Sequence, residues 1–304
     1  MQNLALYSST VLIWGSTWFV ITFQLGVVSA DLSVAYRYAL AGAILIAYAA
    51  LRGRFKPGDY SLKNHGFMAL QGLFLFCLNY WIFYLATGYL TSGLVAVTFS
   101  TITVMNMVNQ ALFFRKRVET RTILASLLGL GGLALVLKPE IGTFDWQSEA
   151  VIGLGLCMLA TYLASLGNMA SIRNSTAGLP VTQVNTYGMT YCALFMFLIA
   201  LASGSEITFD SSFDYIWSLV YLAVFGSILG FGGYLTLIKR IGADKGAYAA
   251  VLFPIVALTI STVFEGYRWT PEALAGVVLI LFGNLMILAP ARLIARVMPR
   301  RHTA

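Results

Sequence analysis

Long apolar segments follow one another along almost the whole chain, separated by short polar loops. A helix needs about 20 apolar residues to cross the hydrocarbon core of a bilayer. A window of that length predicts ten spans, with the turn-like sequence ATGYLTSG dividing the nearly continuous segment 66–114. The ten spans are 4–28, 32–51, 66–87, 90–114, 121–138, 150–172, 181–203, 213–238, 245–265 and 271–291.

The composition agrees with a chain that lies in a membrane. Of 304 residues, 59% are hydrophobic and 10% are charged, against about 45–50% and 25% in soluble domains. The net charge of +7 is spread over loops, which favours membrane orientation over a nucleic-acid partner. The first apolar run is long enough to span and lacks a basic leader, so we expect no cleavable signal peptide.

The charged residues predict an orientation. Most of the 19 lysines and arginines fall in the loops 51–65 and 115–121, near 173 and 239–245, and in the tail after 291. Most of the 12 acids fall in the intervening loops. Because cytoplasmic loops collect Lys and Arg, this alternation predicts a multi-pass protein of the inner (cytoplasmic) membrane with both termini in the cytoplasm.

The two halves of the chain align when one is shifted by about 151 residues. RVETRTILASLLGLGGLAL at 117–135 then lies over RWTPEALAGVVLILFGNLM at 268–286. Each half holds five spans, an odd number, so the second half must be inverted relative to the first. We therefore predict an all-α integral membrane fold, with ten transmembrane helices as two inverted five-helix repeats around a central cavity. Residues 1–140 form the first repeat, 149–291 the second, and 292–304 a basic cytoplasmic tail.

Several motifs resemble the drug/metabolite transporter superfamily, and within it the ten-helix EamA-type exporters. They are LIWGSTWFVIT at 12–22, an arginine early in the second span, and two copies of a helix–loop–helix that ends in a Gly-containing apolar run. CLNYWIFYLATGYLTSG and FPIVALTISTVFEGYRW are most similar to the YddG-type aromatic amino acid exporters. The resemblance covers essentially the whole chain and implies a cavity enclosed by spans 1–4 and 6–9. Family members often carry a glutamate before the fifth and tenth spans, where this chain has Lys116 and Tyr267, so a role for that acid does not transfer.

The sequence offers no site for catalysis. It has no phosphate-binding G-x-x-x-x-G-K-[ST] loop, and His65 and His302 lie outside the spans without metal-ligand neighbours. No acid lies in the middle of a span, and the three cysteines are scattered in apolar segments. We therefore expect no enzyme activity, no metal and no cofactor.

Polar and aromatic side chains inside the spans are the candidate substrate contacts. Flat, polarisable rings suit an aromatic group or an organic cation, and the fifth and tenth spans, which are nearly all aliphatic, would brace the cavity from outside. The alternative is that these side chains only join helices to one another. The candidates are Trp14, Trp18, Asn79, Tyr80, Thr98, Thr101, Tyr162, Ser165, Tyr234 and Tyr248.

Four further residues are candidates for gating or structure. Pro254 predicts a kink in the ninth span, as a hinge or as a fixed bend. Gly226 and Gly230 form a small-xxx-small pair typical of close helix packing. Arg37 lies about 9 Å into the second span at 1.5 Å per residue. It either extends outward towards Asp31 or faces the outer half of the cavity.

The predicted function is alternating-access export of small amphipathic metabolites, with aromatic and other neutral amino acids as the leading substrates. The partners are then a small molecule and the lipid bilayer. We expect a monomer to be functional, with a dimer as the alternative. A multidrug or paraquat-type cation exporter of the same superfamily stays open, as does a non-transporting membrane enzyme or scaffold. Without an acid in the spans, facilitated diffusion and proton antiport are both open.

Overall fold

The computed structural model describes residues 2–53, 57–115, 118, 120–141, 148–234 and 249–288, and these residues form helices without any strand. Three of the sequence predictions, for Tyr248, Lys116 and the tail 292–304, fall outside them. The helices are α1 Gln2–Thr22, α2 Ala30–Leu51, α3 Leu62–Gln71, α4 Asn79–Thr87, α5 Ser92–Phe99, α6 Ile102–Phe114, α7 Thr120–Ile141, α8 Glu149–Thr176, α9 Val181–Ala202, α10 Phe213–Tyr221, α11 Ala249–Phe264 and α12 Pro271–Leu288. A 3₁₀ helix, Pro57–Asp59, precedes α3, and two π-helical segments, Gly72–Leu78 and Leu222–Leu229, follow α3 and α10.

Seven helical stretches in the described chain are long and apolar enough to cross a membrane. They are Ala30–Leu51, Leu62–Thr87, Ser92–Phe114, Thr120–Pro139, Glu149–Thr176, Val181–Ala202 and Phe213–Tyr234. Two further apolar helices, Leu252–Phe264 and Pro271–Met286, are shorter. Helices satisfy their own backbone hydrogen bonds, as a lipid environment demands. The all-helical, multi-pass prediction is confirmed, and the total of ten spans stays a prediction.

Serine side chains determine where three of the helices begin. Ser61, Ser148 and Ser212 each precede a helix, and each accepts a hydrogen bond from the backbone N–H three residues later, at 3.3–3.4 Å. The first N–H groups of a helix have no partner within it, so these hydroxyls stabilise the helix start by about 1 kcal/mol. The three loops therefore turn into helices at defined positions.

The helical stretch from Ser92 to Phe114 is interrupted at Ser100 and Thr101. The hydroxyls of Thr98, Ser100 and Thr101 donate to backbone carbonyls three or four residues earlier, at 2.9, 2.6 and 2.7 Å. Hydroxyls that bond back in this way compete with the helical hydrogen bonds and bend helices. The hydroxyl-rich sequence TFSTIT at 98–103 therefore accounts for the break between α5 and α6.

The aliphatic helices α7 and α12 pack closely on each other. A Cβ atom at Gly132 would lie 2.5 Å from the carbonyl oxygen of Gly276, and one at Gly283 would lie 2.6 Å from that of Ala125. Small residues let two backbones approach, which is how apolar helices associate where lipid removes the hydrophobic driving force. None of the described side chains of this pair lines the large cavity between the other helices, in agreement with a bracing role.

Side-chain contacts join the loops and helix ends of the described chain on two faces, which differ in charge. On the acidic face, Ser205 Oγ donates to Asp31 Oδ2 at 2.8 Å, and Lys138 Nζ lies 3.6 Å from Glu272 Oε1. On the basic face, Arg173 Nη1 donates to Asn64 Oδ1 at 2.9 Å. Among the described residues, the acidic face holds the loops 22–30, 87–92, 202–213 and 264–271, and the basic face holds 51–53, 57–62 and 176–181.

Candidate functional site

A cavity of about 400 Å³ lies between the helices. Its walls come from α1, the continuous helix that contains α3 and α4, the helices α5, α6, α8, α9 and α11, and the stretch after α10. The cavity reaches Ser175 and Val181, which flank the loop between α8 and α9 on the basic face. A volume of this size is within the range of small-molecule sites, about 300–1,000 Å³.

Four rings close the cavity towards the acidic face. The centroid of Trp18 lies 5.0 Å from that of Phe83 and 5.3 Å from that of Phe99, and Phe99 lies 6.0 Å from Phe253. These four residues, which we call the aromatic end, come from four different helices. All four line the cavity, and Trp18, Phe83 and Phe253 are almost fully buried.

The acidic face is closed again beyond the aromatic end. A Cβ atom at Gly93, in the first turn of α5, would lie 2.9 Å from side-chain atoms of Leu258 and Ser261 on α11. The glycine therefore lets α5 and α11 approach closely, which an ordinary side chain would prevent. The described chain thus has a solute-sized space that reaches one face, with two layers of contacts between it and the other face.

The remaining walls are rich in amides and hydroxyls. Asn168 Nδ2 donates to Asn106 Oδ1 at 3.2 Å, joining α8 to α6. Gln71 Nε2 donates to Asn185 Oδ1 at 3.3 Å, and Asn79 Oδ1 has no hydrogen-bond partner among the described residues. The polar lining consists of Thr17, Gln71, Asn79, Thr103, Asn106, Gln110, Asn168, Ser171, Ser175 and Asn185. None of the described side chains that line the cavity is charged, so the space can hold a solute that combines apolar surface with neutral hydrogen-bonding groups.

Five of the predicted contact residues line this cavity. Trp14 and Trp18 come from α1, Asn79 and Tyr80 from α4, and Tyr234 from the end of the stretch after α10. The rings of Trp14 and Tyr234 are in contact, with centroids 5.0 Å apart. The structure therefore brings together side chains that lie far apart in the sequence.

Four other predicted contact residues do not line the cavity. Thr98 and Thr101 are buried, and their hydroxyls are used by their own helix. Ser165 is buried and accepts a hydrogen bond from Asn109 Nδ2 at 2.8 Å, which joins α8 to α6 behind the cavity wall. Tyr162 is 43% exposed on the outer surface of α8. These positions correct the prediction of cavity contacts, while Tyr248 lies outside the described residues.

On two helices the residues that line the cavity differ from the predicted contact residues. The fourth span has two polar faces, and the cavity is lined by Thr103, Asn106 and Gln110 rather than by Thr98 and Thr101. On α8, the cavity is lined by Asn168, Ser171 and Ser175 rather than by Ser165. The phenylalanines at positions 83, 99, 231 and 253 were missed, because their spacing does not distinguish a cavity from lipid.

Arg37 is fully buried and does not extend to the surface. Its Nε donates to Ser227 Oγ at 3.1 Å, and its guanidinium carbon lies 4.3 Å from the ring centroid of Tyr80. Asp31 instead accepts hydrogen bonds from Ser29 and Ser205. The expectation that Arg37 extends towards Asp31 is therefore wrong, and the Asp31 carboxylate is bound by one neighbouring serine and by one from the loop after α9.

The two predicted glycines lie against α1. A Cβ atom at Gly226 would lie 2.9 Å from Thr17 Cγ2, and one at Gly230 would lie 2.5 Å from Trp14 Nε1. Each position faces a residue that lines the cavity, so the glycines determine how closely α1 approaches the stretch after α10. Pro254 lies inside α11, directly after Phe253 of the aromatic end.

Comparisons with known proteins agree with this architecture. The chain matches the EamA-like transporter family at two segments, residues 4–138 and 151–289. A crystal structure of a protein that is 18% identical to this chain superposes with a TM-score of 0.69, covering 97% of this chain and 98% of that protein, which shows a shared fold.

Three curated proteins are similar to this chain. The Uncharacterized inner membrane transporter YedA of Escherichia coli K12 is 26% identical over 84% of this chain and 80% of its own length. Protein PagO of Salmonella typhimurium LT2 is 23% identical over 95% of this chain and 93% of its own length. A Probable amino-acid metabolite efflux pump of the same Salmonella strain is 26% identical, covering 90% of each chain. With its helical fold, its one-sided cavity and a family match over most of its length, this chain belongs to the EamA-like transporter family.

Proposed function

We propose that the protein exports small amphipathic metabolites across the inner membrane, with aromatic and other neutral amino acids as its leading substrates. The observation that carries this proposal is the cavity itself. Aromatic rings close one end of it, amides line the rest, and none of its described lining side chains is charged. A neutral amino acid carries no net charge and combines an apolar side chain with hydrogen-bonding groups, so it matches such a lining.

The charges indicate which side of the membrane the cavity faces. Lysines and arginines concentrate in the loops of the basic face, so the positive-inside rule assigns that face and both termini to the cytoplasm. The cavity reaches the basic face and is closed towards the acidic face. In this orientation the described conformation faces the cytoplasm, the side from which an exporter takes up its substrate. The name of one relative, the efflux pump described above, is in keeping with this direction.

We infer that the chain has ten spans in two inverted repeats of five, and three observations support this. The family match falls on two segments of nearly equal length. Adding about 151 residues to the first π-helical segment, 72–78, gives 223–229, which coincides with the second. The same shift exchanges the contact of Gly132 with Gly276 for the contact of Ala125 with Gly283, as expected for a two-fold axis between α7 and α12.

In alternating access, the cavity would then open to the acidic face and close to the basic face as the two repeats rock about it. Pro254 lies where such a change would move Phe253 of the aromatic end, which makes it a candidate hinge. Because none of the described lining residues is an acid, we propose facilitated diffusion down the substrate gradient rather than obligatory proton antiport. We also propose a monomer as the functional unit, since one chain supplies all the described walls of the cavity. Aromatic walls also suit organic cations, so a cation exporter is the second candidate, although the lining offers no carboxylate to balance the charge.

The test is substrate counterflow with the purified full-length protein in liposomes. We expect labelled phenylalanine and tryptophan to exchange faster than in protein-free liposomes, threonine to exchange more slowly, and methyl viologen not to exchange. Exchange should persist when an ionophore collapses the proton gradient. Exchange of methyl viologen alone would favour the cation exporter, and exchange of none of these solutes would contradict the proposal.

A further inference from the structure

Arg37 is a charged group without a counter-ion in the described structure. Its side chain is fully buried, and its one directed hydrogen bond goes from Nε to the neutral hydroxyl of Ser227. The terminal nitrogens Nη1 and Nη2 make no well-directed hydrogen bond among the described residues. Buried charges in proteins are normally paired, because desolvation of an unpaired ion costs several kcal/mol.

The groups around the guanidinium offer hydrogen-bond donors rather than negative charge. The rings of Tyr80 and Tyr38 lie 4.3 and 5.3 Å from the guanidinium carbon, which is cation–π distance. The hydroxyls of Tyr38 and Tyr84 are buried and make no well-directed hydrogen bond among the described residues, and that of Tyr84 lies within reach of the guanidinium. An anion beside Arg37 would accept hydrogen bonds from the guanidinium and from phenolic hydroxyls, and such charge-assisted bonds are the strong ones.

This group lies one side chain behind the cavity wall. Tyr80 contacts the guanidinium and also lines the cavity. Gly226 lies between Arg37 Nη2 and Thr17 of the cavity wall, since a Cβ atom there would be 3.3 Å from the first and 2.9 Å from the methyl group of the second. Two residues that contact Arg37 lie in or next to a π-helical segment. Ser227 lies within Leu222–Leu229, and Tyr80 closely follows Gly72–Leu78. Such irregular turns occur frequently at functional sites.

We propose that Arg37, Tyr38 and Tyr84 form an anion-binding site that takes the carboxylate of the transported substrate when the ring of Tyr80 moves aside. The inference rests on the proposed function, and it adds that a carboxylate is required of the substrate. The ligand chemistry is that of a monovalent anion, which a substrate carboxylate or free chloride would supply. The carboxylate is favoured because Tyr80 borders both the site and the cavity, so a movement of this ring brings the site within reach of a solute held in the cavity.

The test compares ligands that differ in the carboxylate. Binding of phenylalanine, 3-phenylpropanoate and phenylalaninamide to the purified full-length protein is measured by competition with radiolabelled phenylalanine. We expect the two carboxylates to bind about tenfold or more tightly than the amide, because a hydrogen bond to a charged group is lost in the amide. In Arg37→Gln this preference should vanish, and in Arg37→Lys it should be partly retained. Tyr84→Phe should reduce it without abolishing it.

Each variant supplies its own reference, because the carboxylate-to-amide ratio does not depend on how much protein folds. Arg268→Gln removes the same charge from an exposed loop position and should leave the ratio unchanged. Equal binding of phenylalanine and phenylalaninamide by the unmodified protein would overturn the anion site while leaving the proposed function intact. Binding that requires chloride but ignores the ligand carboxylate would assign the site to an inorganic anion and overturn the inference. Binding of none of the three ligands would overturn the proposed function and this inference with it.

Discussion

The carboxylate of Glu265 accepts a bifurcated hydrogen bond from the backbone N–H of Ser92, whose nitrogen lies 3.1 and 3.2 Å from the two oxygens, and a hydrogen bond from the Ser92 hydroxyl at 2.5 Å. Ser92 begins α5 and Glu265 directly follows α11, so this contact joins the two helices on the acidic face. A carboxylate at a helix N-terminus satisfies N–H groups that have no partner within the helix, and it is favoured by the helix dipole. The contact therefore holds α5 and α11 together on the acidic face, beyond the aromatic end of the cavity.

We predict that Glu265→Gln loosens this closure, because an amide offers one acceptor oxygen in place of two and carries no charge. In a background without the three buried cysteines, Phe99→Cys at the aromatic end reports access from the acidic face. A membrane-impermeant thiol reagent should label this cysteine several times faster in the Glu265→Gln variant than in the protein that keeps the native glutamate. Glu272→Gln removes an exposed carboxylate from the same face and serves as the control. Equal labelling rates in the two variants would show that the Ser92 contact does not hold the face closed.

Trp18 should determine the preference for aromatic solutes. It forms three of the ring contacts of the aromatic end, and an aromatic pair contributes about 0.5–1.5 kcal/mol beyond the area that it buries. Trp18→Leu should therefore raise the KM for tryptophan counterflow by about threefold to tenfold and change the KM for threonine less. Trp217 contacts the rings of Phe23 and Tyr221 and does not line the cavity. Trp217→Leu should therefore change neither KM.

The neighbouring residues Asn106 and Asn109 separate a role in the cavity from a role in helix packing. Each forms a hydrogen bond between α6 and α8, but Asn106 lines the cavity and Asn109 is buried behind it. Substitution of either asparagine by alanine removes its bond and should lower the free energy of unfolding by about 0.6 kcal/mol. Thermal unfolding in detergent should show a similar loss of stability in both variants. Counterflow kinetics should show a changed KM in Asn106→Ala and not in Asn109→Ala. A similar change of KM in Asn109→Ala would argue against the assigned cavity wall.

Gly132 and Gly131 give a matched test of the contact between α7 and α12. A Cβ atom at Gly132 would lie 2.5 Å from the backbone oxygen of Gly276, whereas one at Gly131 meets nothing within 4 Å. Gly132→Ala should destabilise the protein by about 1–3 kcal/mol through overpacking. Gly131→Ala should be neutral or slightly stabilising, by up to about 1 kcal/mol, because alanine favours a helix. Thermal unfolding in detergent measures both, and a lower Tm for the Gly131 variant would be inconsistent with this packing.

The helices were predictable because their cause is local. Apolar runs of about 20 residues must form helices in lipid, and the serines that precede α3, α8 and α10 are ordinary helix-start residues. The break at Ser100 was not predicted, because it depends on which hydroxyls bond back to the chain. The candidate site was only half predictable, since Tyr80 and Tyr162 occupy similar polar surroundings in the sequence but face the cavity and the outer surface respectively.

Hydrophobic length and family motifs are local properties of the chain, so they were enough to identify a helical membrane protein of the EamA-like transporter family. The tertiary structure decided which aromatic and amide side chains meet in the cavity, and that Arg37 lies behind Tyr80 instead of beside Asp31. The physical reason is that lipid and protein interior are both apolar. In a membrane, hydrophobic periodicity therefore does not separate an inner face from an outer one, and only the packing of the helices does so.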